Sequence, residues 1–405
     1  MERINFRRIL IASGLIVLVI IYAVLWLKMI TSRAESTGTD FISSYSAARI
    51  AQRWGAANVY DQELERRIQA DVVGFALAQG QVLMFNHPPY LVPMLVLIVN
   101  GSYAASMIRY VAIMIALYLA CAAIIVWLLQ QAAWKQRDNL LLLAGFLTFY
   151  PLFVSLLNAQ DTAVLVLGAF LWLAGLLTGK DWLAGVGLAL TSVRPHITIL
   201  LAVPFVFRRQ KVFGWFSLAI GSLAVVSLIV LGPNGVKTYL QVLLIAAGGN
   251  WYGMNEPAMI NLVGLLWRIL PGLGANLIHA IGWIVYGGTL VGLCILWMRS
   301  RVIAEKQVAL AIALTIFTVP HLHYHDLTLL VVALVAGLML LVREGYLRPR
   351  EAALAPLVLS FGFLFASLVP VLKNNAAYLV MILLILIVWM PGKFISPVQQ
   401  NKPII

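Results

Sequence analysis

The sequence is poor in charged residues and has almost no cysteine. Of its 405 residues only 11% are Asp, Glu, Lys or Arg, whereas 62% are hydrophobic, and the mean hydropathy is +0.95. So little polar surface could not cover a soluble protein of this size. Cys121 and Cys294 both lie inside apolar runs, which argues against a disulfide framework and gives no support to redox chemistry. We therefore predict an all-α polytopic membrane protein.

The sequence also lacks the common motifs of nucleotide and metal sites. Its glycine-rich stretches have no strand context, so neither a phosphate-cradling loop nor a nucleotide cofactor is predicted. No DxD, HExxH or CxxC pattern occurs. The net charge of +13 comes from basic segments that lie beside apolar runs and are not interleaved with aromatic residues. This arrangement argues against a nucleic-acid partner.

The basic segments predict the orientation of the chain in the membrane. Five of them together contain 14 Lys plus Arg and 4 acidic residues. The remainder of the chain contains 14 Lys plus Arg and 11 acidic residues. Positive charge collects in cytoplasmic loops, so these segments and both termini are predicted to be cytoplasmic, in a bacterial inner membrane. The segments are residues 2–8, 208–211, 299–306, 343–351 and the tail after Pro391.

Counting apolar runs predicts about twelve spans, with eleven to thirteen possible because several runs are short or broken. The basic stretch "WKQRD", residues 134–138, is an exception to the charge rule, because this count of spans places it on the external side. The apolar runs lie near residues 9–30, 88–100, 104–130, 139–157, 160–178, 182–207, 212–231, 277–298, 307–320, 326–342, 353–371 and 376–390.

Within one membrane domain, residues 1–405, this topology places three polar stretches outside: residues 31–86, 232–276 and 318–327. The first contains a helical pattern that includes Tyr45 and ends near Gly55, which predicts a short amphipathic helix on the membrane surface. Asp40 lies at its start, where the helix dipole stabilises a carboxylate. Asp40 is therefore either a helix cap alone or a functional carboxylate.

The third stretch, "TVPHLHYHDL", contains three of the six histidines, His321, His323 and His325, followed by Asp326. In an extended segment alternate side chains point to one side, so the three rings would line one surface. Zinc is one candidate ligand for such a set, although carboxylate partners are few. The alternative is a polar turn between spans, in which Asp326 caps the next helix.

Two further stretches carry candidate binding residues. Arg194 interrupts an apolar run, and Pro195 after it breaks the helix. A guanidinium at membrane depth either snorkels to the surface, faces a polar cavity or pairs with an anion such as a lipid phosphate. His196 would serve the same anion or pack in the core, and His87, in "FNHPPY", lies in a rigid turn that could line a site. Asp161 is predicted only as a helix cap or an inner-loop charge.

The order of "DFISSYSAARIAQRWGAANVYD", "FNHPPY", "AGVGLALTSVRPHITILLAVPFVFRR" and "VPHLHYHDLTLL" resembles glycosyltransferase family 87, from about residue 38 to 330. The family often has Lys-Pro where this chain has Arg194-Pro195, which keeps the charge. It often has another residue in place of His325. The resemblance implies a GT-C fold and a membrane enzyme that uses polyprenyl-phosphate sugars, with mannose the usual sugar.

The resemblance also implies an external active site in which the acidic residue of the first external loop is the base. That role falls to Asp40, with inversion at the sugar C1. Arg194 and the histidines, His323 foremost, would meet the departing phosphate. The expected acceptor is a glycan, a glycolipid or a protein of the cell envelope, and membrane lipids are expected as further partners.

A competing class is a transporter or flippase for a lipid or small anion. In that class Arg194 and the histidines would line a pathway, and Asp40 would be a gate or relay. A metal-dependent membrane enzyme is a third class. Loss of sugar transfer on substitution of Asp40 separates the enzyme from the transporter, and sensitivity to chelators indicates the metal enzyme.

Overall fold

The computed structural model describes residues 6–247 and 255–389, and every regular element within them is helical. Residues 2–5, residues 248–254 and the tail after Pro391 lie outside the described residues, so the predictions that fall on them are not tested. In the first half of the chain the α-helices are α1 Phe6–Thr31, α2 Arg33–Thr37, α3 Phe41–Trp54, α4 Gln62–Val73, α5 Val92–Ile98, α6 Tyr103–Gln131, α7 Gln136–Leu147, α8 Tyr150–Leu157, α9 Thr162–Leu177 and α10 Asp181–Leu190. In the second half they are α11 Pro195–Ala202, α12 Gln210–Ala247, α13 Leu262–Ile269, α14 Ala275–Arg299, α15 Glu305–Thr318, α16 Leu330–Arg343, α17 Pro349–Leu368, α18 Pro370–Lys373 and α19 Ala376–Trp389.

Within the described residues, six helices are long and apolar enough to cross a bilayer, or seven if the bent pair α7 and α8 forms one span. This agrees with a polytopic membrane protein, but the count of twelve spans is not confirmed. In the segment containing α16, 94% of the residues of an 18-residue window are buried, so this segment lies inside the helical bundle. The long helices α1 and α12 expose most of their apolar side chains, as helices that face lipid do. The six are Ile11–Thr31, Tyr103–Gln131, Gln210–Ala246, Ala275–Arg299, Tyr324–Arg343 and Pro349–Leu368.

Two apolar runs that were predicted as spans do not cross as single helices. The run at 88–100 forms a 3₁₀ turn followed by α5, which has seven residues; at about 1.5 Å per residue this is far short of the roughly 30 Å of hydrocarbon. The run at 182–207 is broken at Arg194, because Pro195 starts a new helix there. Arg209 after α11 forms an ion pair with Asp181 at the start of α10, at 2.6 Å. The chain therefore enters and returns at the same end.

Contacts across the bundle define its basic end. Besides the Asp181–Arg209 pair, Arg208 donates a hydrogen bond to the carbonyl of Arg301, at 3.0 Å. The ammonium of Lys180 lies 5.9 Å from the ring centre of Trp127, near the end of α6. Helix α6 therefore brings "WKQRD" to the basic end, with the basic segments 208–211 and 299–306, whereas the twelve-span count placed it at the opposite end.

The first polar loop forms the other end of the bundle. Helix α3 begins at Phe41 and ends at Trp54, followed by Gly55, close to the predicted bounds. The prediction that this helix is amphipathic and lies on the membrane surface is not confirmed. Residues 41–48 are all buried, because Phe41 packs on Tyr103 and Tyr110 of α6, with ring centres 5.5 and 5.1 Å apart. The start of α3 is thus fixed inside the protein, where it holds Asp40 in place.

Candidate active site

Asp40 occupies the position before the first residue of α3, but its carboxylate makes no capping hydrogen bond. Instead, the side-chain amide of Gln160 donates a hydrogen bond to the Asp40 carboxylate. Gln160 is buried and lies in the turn between α8 and α9. The carboxylate is therefore directed away from its own helix and toward the centre of the protein.

Arg194 is the centre of the cluster that Asp40 joins. Its Nη2 donates to Oε1 of Gln160 at 3.2 Å, and its Nη1 lies 2.9 Å from Oδ1 of Asp161. Its Nε donates to Oδ1 of Asp326 at 3.2 Å. The break at Pro195 makes this possible, since it ends the 3₁₀ turn at residues 191–193 and leaves Arg194 between two helices. All three guanidinium nitrogens are engaged, so the protein itself balances the charge of Arg194.

Asp161 brings His87 into the same cluster. Nδ1 of His87 lies 2.7 Å from Oδ2 of Asp161, and Asp161 is almost fully buried. Asp161 lies at the same end of the bundle as Asp40 and His87. The twelve-span count placed Asp161 and Asp40 at opposite ends because it counted residues 88–100 as one membrane crossing.

The three histidines of the turn at 321–325 form a row. The ring centres of His321 and His323 lie 4.7 Å apart, and those of His323 and His325 lie 6.0 Å apart. His196 approaches the row from α11, with its ring centre 6.5 Å from that of His321. Residues 321–323 lie outside the helices, and His323 has extended backbone just before the 3₁₀ helix that contains His325. The structure thus brings His196 and the three predicted histidines together.

Asp326 links the histidine row to Arg194. It lies within a 3₁₀ helix, Tyr324–Leu329, that leads into α16. Besides its bond to Arg194, its Oδ2 lies 3.5 Å from Nε2 of His325 and 3.5 Å from the backbone nitrogen of His323. Asp326 therefore does more than cap the helix that follows.

Burial sets the protonation state of the histidine turn. Burial and the neighbouring His325 lower the pKa of His323 to about 4, although Asp326 and Asp40 oppose this shift. Burial also lowers the pKa of His321 well below its usual value. Both imidazoles are therefore neutral at pH 7. Nδ1 of His321 and Nε2 of His196 are buried and have no hydrogen-bond partner among the described residues.

Tyr45 is the one predicted site residue that does not join this cluster. It is buried against Phe41 and Tyr103, with ring centres 6.2 and 5.1 Å away, and it lines a separate cavity between α1, α3, α4 and α6. The described part of the chain contains no group of three His, Cys, Asp or Glu side chains that could hold a metal ion.

Sequence reasoning missed Gln160, and it gave Asp161 no functional weight. The available signal was the polar stretch "NAQD", residues 158–161, between two apolar runs. A turn between two spans needs polar residues in any case, so the stretch did not stand out. Chemically, the arrangement offers a carboxylate held by an amide, a buried ion-pair network and neutral imidazoles, which suits proton transfer and binding of a polar ligand.

Comparison with known proteins identifies the family. The model of glycosyltransferase family 87 matches residues 85–320, more than half of the chain. No curated protein matches the chain, and neither does any solved structure. The matched region includes His87, Asp161 and Arg194, whereas Asp40 precedes it and the histidine turn follows it at residue 321. The chain therefore belongs to glycosyltransferase family 87.

Proposed function

We propose that this chain transfers a sugar from a polyprenyl-phosphate donor to an acceptor hydroxyl, with Asp40 as the general base. Membership of family 87 indicates a glycosyltransferase and so favours an enzyme over the transporter alternative. One observation carries the choice of base. The Asp40 carboxylate leaves its own helix uncapped and joins, through Gln160, a buried centre that contains Arg194 and Asp326.

The proposed step is a displacement at C1 of the sugar. The Asp40 carboxylate takes the proton of the acceptor hydroxyl while the hydroxyl oxygen forms a bond to C1. The bond between C1 and the phosphate oxygen breaks, and polyprenyl phosphate leaves with the electron pair. Because entry and departure lie on opposite faces of C1, the configuration inverts.

The surrounding residues have distinct proposed tasks. Gln160 accepts from Arg194 and donates to Asp40, so it orients the carboxylate. A neutral His323 is suited to hold a sugar hydroxyl or a phosphate oxygen. Mannose is the first sugar to test, because the family is usually associated with it, and the acceptor is a glycan, a glycolipid or a protein. We assign the reaction to the external face of a bacterial inner membrane.

The test is to substitute Asp40→Asn in the full chain reconstituted in liposomes. Asparagine keeps an oxygen that accepts from Gln160 but cannot take a proton. We expect the rate of sugar transfer to fall about 10²- to 10⁴-fold. Release of polyprenyl phosphate from a panel of polyprenyl-phosphate sugars measures the rate, and NMR of the product gives the configuration at C1.

Glu63→Gln is the matched control, because Glu63 lies in the same loop but is half exposed and pairs only with Arg66 and Arg67. Its transfer rate should stay close to that of the unmodified protein. A folded Asp40→Asn protein that retains more than a tenth of the rate would rule out Asp40 as the base.

A further inference from the structure

A cavity of about 490 Å³ lies beside the loop that carries Asp40. We call it the arginine pocket, because three arginines, Arg33, Arg49 and Arg53, line it together with a single carboxylate, that of Asp71. Its walls come from the end of α1, from α2, α3 and α4, and from the start of α6. The pocket contains none of the residues of the cluster around Arg194.

With three arginines and one carboxylate, the arginine pocket carries a net positive charge. No carboxylate of the described residues lies within 4.0 Å of these three guanidinium groups, in contrast to Arg66 and Arg67, which pair with Glu63. Arg33 donates to the carbonyl of Val72 at 2.9 Å. Arg49 donates to the side chain of Gln52 at 3.0 Å. A concave site with three such groups attracts an anion, and the planar guanidinium fits phosphate oxygens well.

The position of the pocket favours the phosphate of a lipid. Ile30 and Thr31 at the end of α1 line it, as do residues 102–104 at the start of α6. Both helices are long enough to cross a bilayer, so their ends lie at the depth of lipid headgroups. A lipid phosphate could enter the pocket while its chain stays in the hydrocarbon region.

The pocket also adjoins the proposed base. The hydroxyl of Tyr103, which lines the pocket, lies 3.2 Å from that of Thr39, the residue before Asp40. The same hydroxyl donates to the carbonyl of Ser36 at 3.0 Å. Tyr103 therefore fixes the pocket wall and the start of the Asp40 loop to each other.

We propose that the arginine pocket holds the phosphate of a lipid-linked substrate. The proposal rests on the function assigned above, which requires such a substrate. It also meets a need that the buried centre leaves open, because Asp161 and Asp326 already balance the charge of Arg194. The arginine pocket offers positive charge that no ion pair of the described residues neutralises, beside the loop that carries Asp40.

The experiment measures equilibrium binding of farnesyl phosphate to the full chain in phosphatidylcholine nanodiscs, with uncharged farnesol as the reference. We expect Arg49→Gln and Arg53→Gln each to weaken binding of farnesyl phosphate about tenfold, the loss of one charge-assisted contact. Binding of farnesol should not change. Arg67→Gln is the matched control and should bind as the unmodified protein does, since Arg67 lies outside the pocket on α4.

Competition distinguishes the source of the phosphate. If inorganic phosphate displaces farnesyl phosphate at similar concentrations, the pocket recognises the free anion. If it does not, the lipid chain contributes to binding. Either result is consistent with a phosphate site. Binding that does not depend on Arg49 or Arg53 overturns the proposal, even if sugar transfer is intact. If the unmodified protein transfers no sugar but the two variants still lose binding of farnesyl phosphate, the proposed function is wrong and the phosphate site remains.

Discussion

At the scale of single residues, Asp161 is the carboxylate that lies closest to the buried guanidinium of Arg194. It is 2% exposed, and its two oxygens face Arg194 at 2.9 Å and His87 at 2.7 Å. Replacing one partner of a buried ion pair leaves the other without compensation. We therefore expect Asp161→Asn to lower the free energy of unfolding by about 3 kcal/mol or more and to reduce sugar transfer at least tenfold, as measured by unfolding in detergent and by the transfer assay.

Asp181→Asn is the matched control for that substitution. Asp181 pairs with Arg209 at the basic end, where both side chains are about a quarter exposed. Solvent screens such a pair, so its loss should cost no more than about 1 kcal/mol. Equal losses of stability in the two variants would contradict the view that the buried cluster holds the site together.

Glu65 of α4 gives the protein a predictable dependence on pH. Burial raises the pKa of Glu65 to about 8, since Oε1 accepts only from the backbone nitrogen of Phe85, at 2.9 Å, and Oε2 has no partner among the described residues. The folded protein thus keeps this proton up to about pH 8, whereas the unfolded chain releases it near pH 4.5. Stability therefore falls between these values as pH rises.

The corresponding experiment compares Glu65→Gln with the unmodified protein at pH 5, 6.5 and 8. The unmodified protein should lose stability on the order of a few kcal/mol across this range. The glutamine variant should lose much less, because its amide can still accept from Phe85 but does not titrate. Glu63→Gln, an exposed position on the same helix, should follow the unmodified protein. Parallel curves for all three proteins would exclude Glu65 as the cause.

The sequence predicted several individual site residues, but it did not predict which residues they contact. Asp40, Arg194 and Asp326 stood out because a charge beside an apolar run is costly and therefore demands a reason. Gln160 is neutral and lies in an ordinary polar turn, so nothing local marks it as the link between Asp40 and Arg194. These pairings join residues 120 and 34 positions apart, and spacing along the chain does not encode such contacts.

At the scale of elements, the α9 and α10 hairpin positions the cluster. Asp161 precedes α9, and Arg194 follows α10 and its 3₁₀ turn. The two helices approach closely at Gly187, where an added Cβ would lie 2.5 Å from the backbone nitrogen of Trp172 and 2.6 Å from the carbonyl oxygen of Gly168. Only glycine fits at this crossing, because backbone on the facing helix cannot move aside as a side chain could.

We expect Gly187→Ala to destabilise the protein by about 1–3 kcal/mol through overpacking and to lower sugar transfer by displacing Arg194 relative to Asp161. Gly221→Ala on α12 is the control, since a Cβ at Gly221 would meet nothing within 4 Å. Thermal unfolding in detergent and the transfer assay measure the two effects. If both variants behave alike, the close approach of α9 and α10 does not determine the geometry of the site.

The sequence predicted individual helices better than their directions. The bounds of α3 followed from its apolar spacing and Gly55, and the break after Arg194 followed from Pro195. The reversal at that break was missed, because the run at 182–207 has the length and hydropathy of one span. Hydropathy measures length but not direction, and only the distant contact of Arg209 with Asp181 reveals the reversal.

At the scale of the whole molecule, polar residues collect at two ends with different chemistry. The basic end contains Lys180 and Arg208, together with Arg343, which pairs with Glu305 at 2.8 Å. The other end contains the buried cluster and the arginine pocket. With "WKQRD" at the basic end, the charge rule has no exception among the basic segments, and the rule predicts that this end is cytoplasmic.

This orientation predicts the result of labelling single cysteines in sealed vesicles with a membrane-impermeant thiol reagent. Arg137→Cys and Lys211→Cys lie at the basic end and should react from the same side, whereas Arg67→Cys should react from the opposite side. The twelve-span count from sequence instead places Arg137 with Arg67. The native Cys121 and Cys294 are buried, so they should give little background. Labelling of Arg137→Cys together with Arg67→Cys would contradict the fold described here, because the turn at Asp161 would then lie on the side opposite to Asp40, and the two could not share one site.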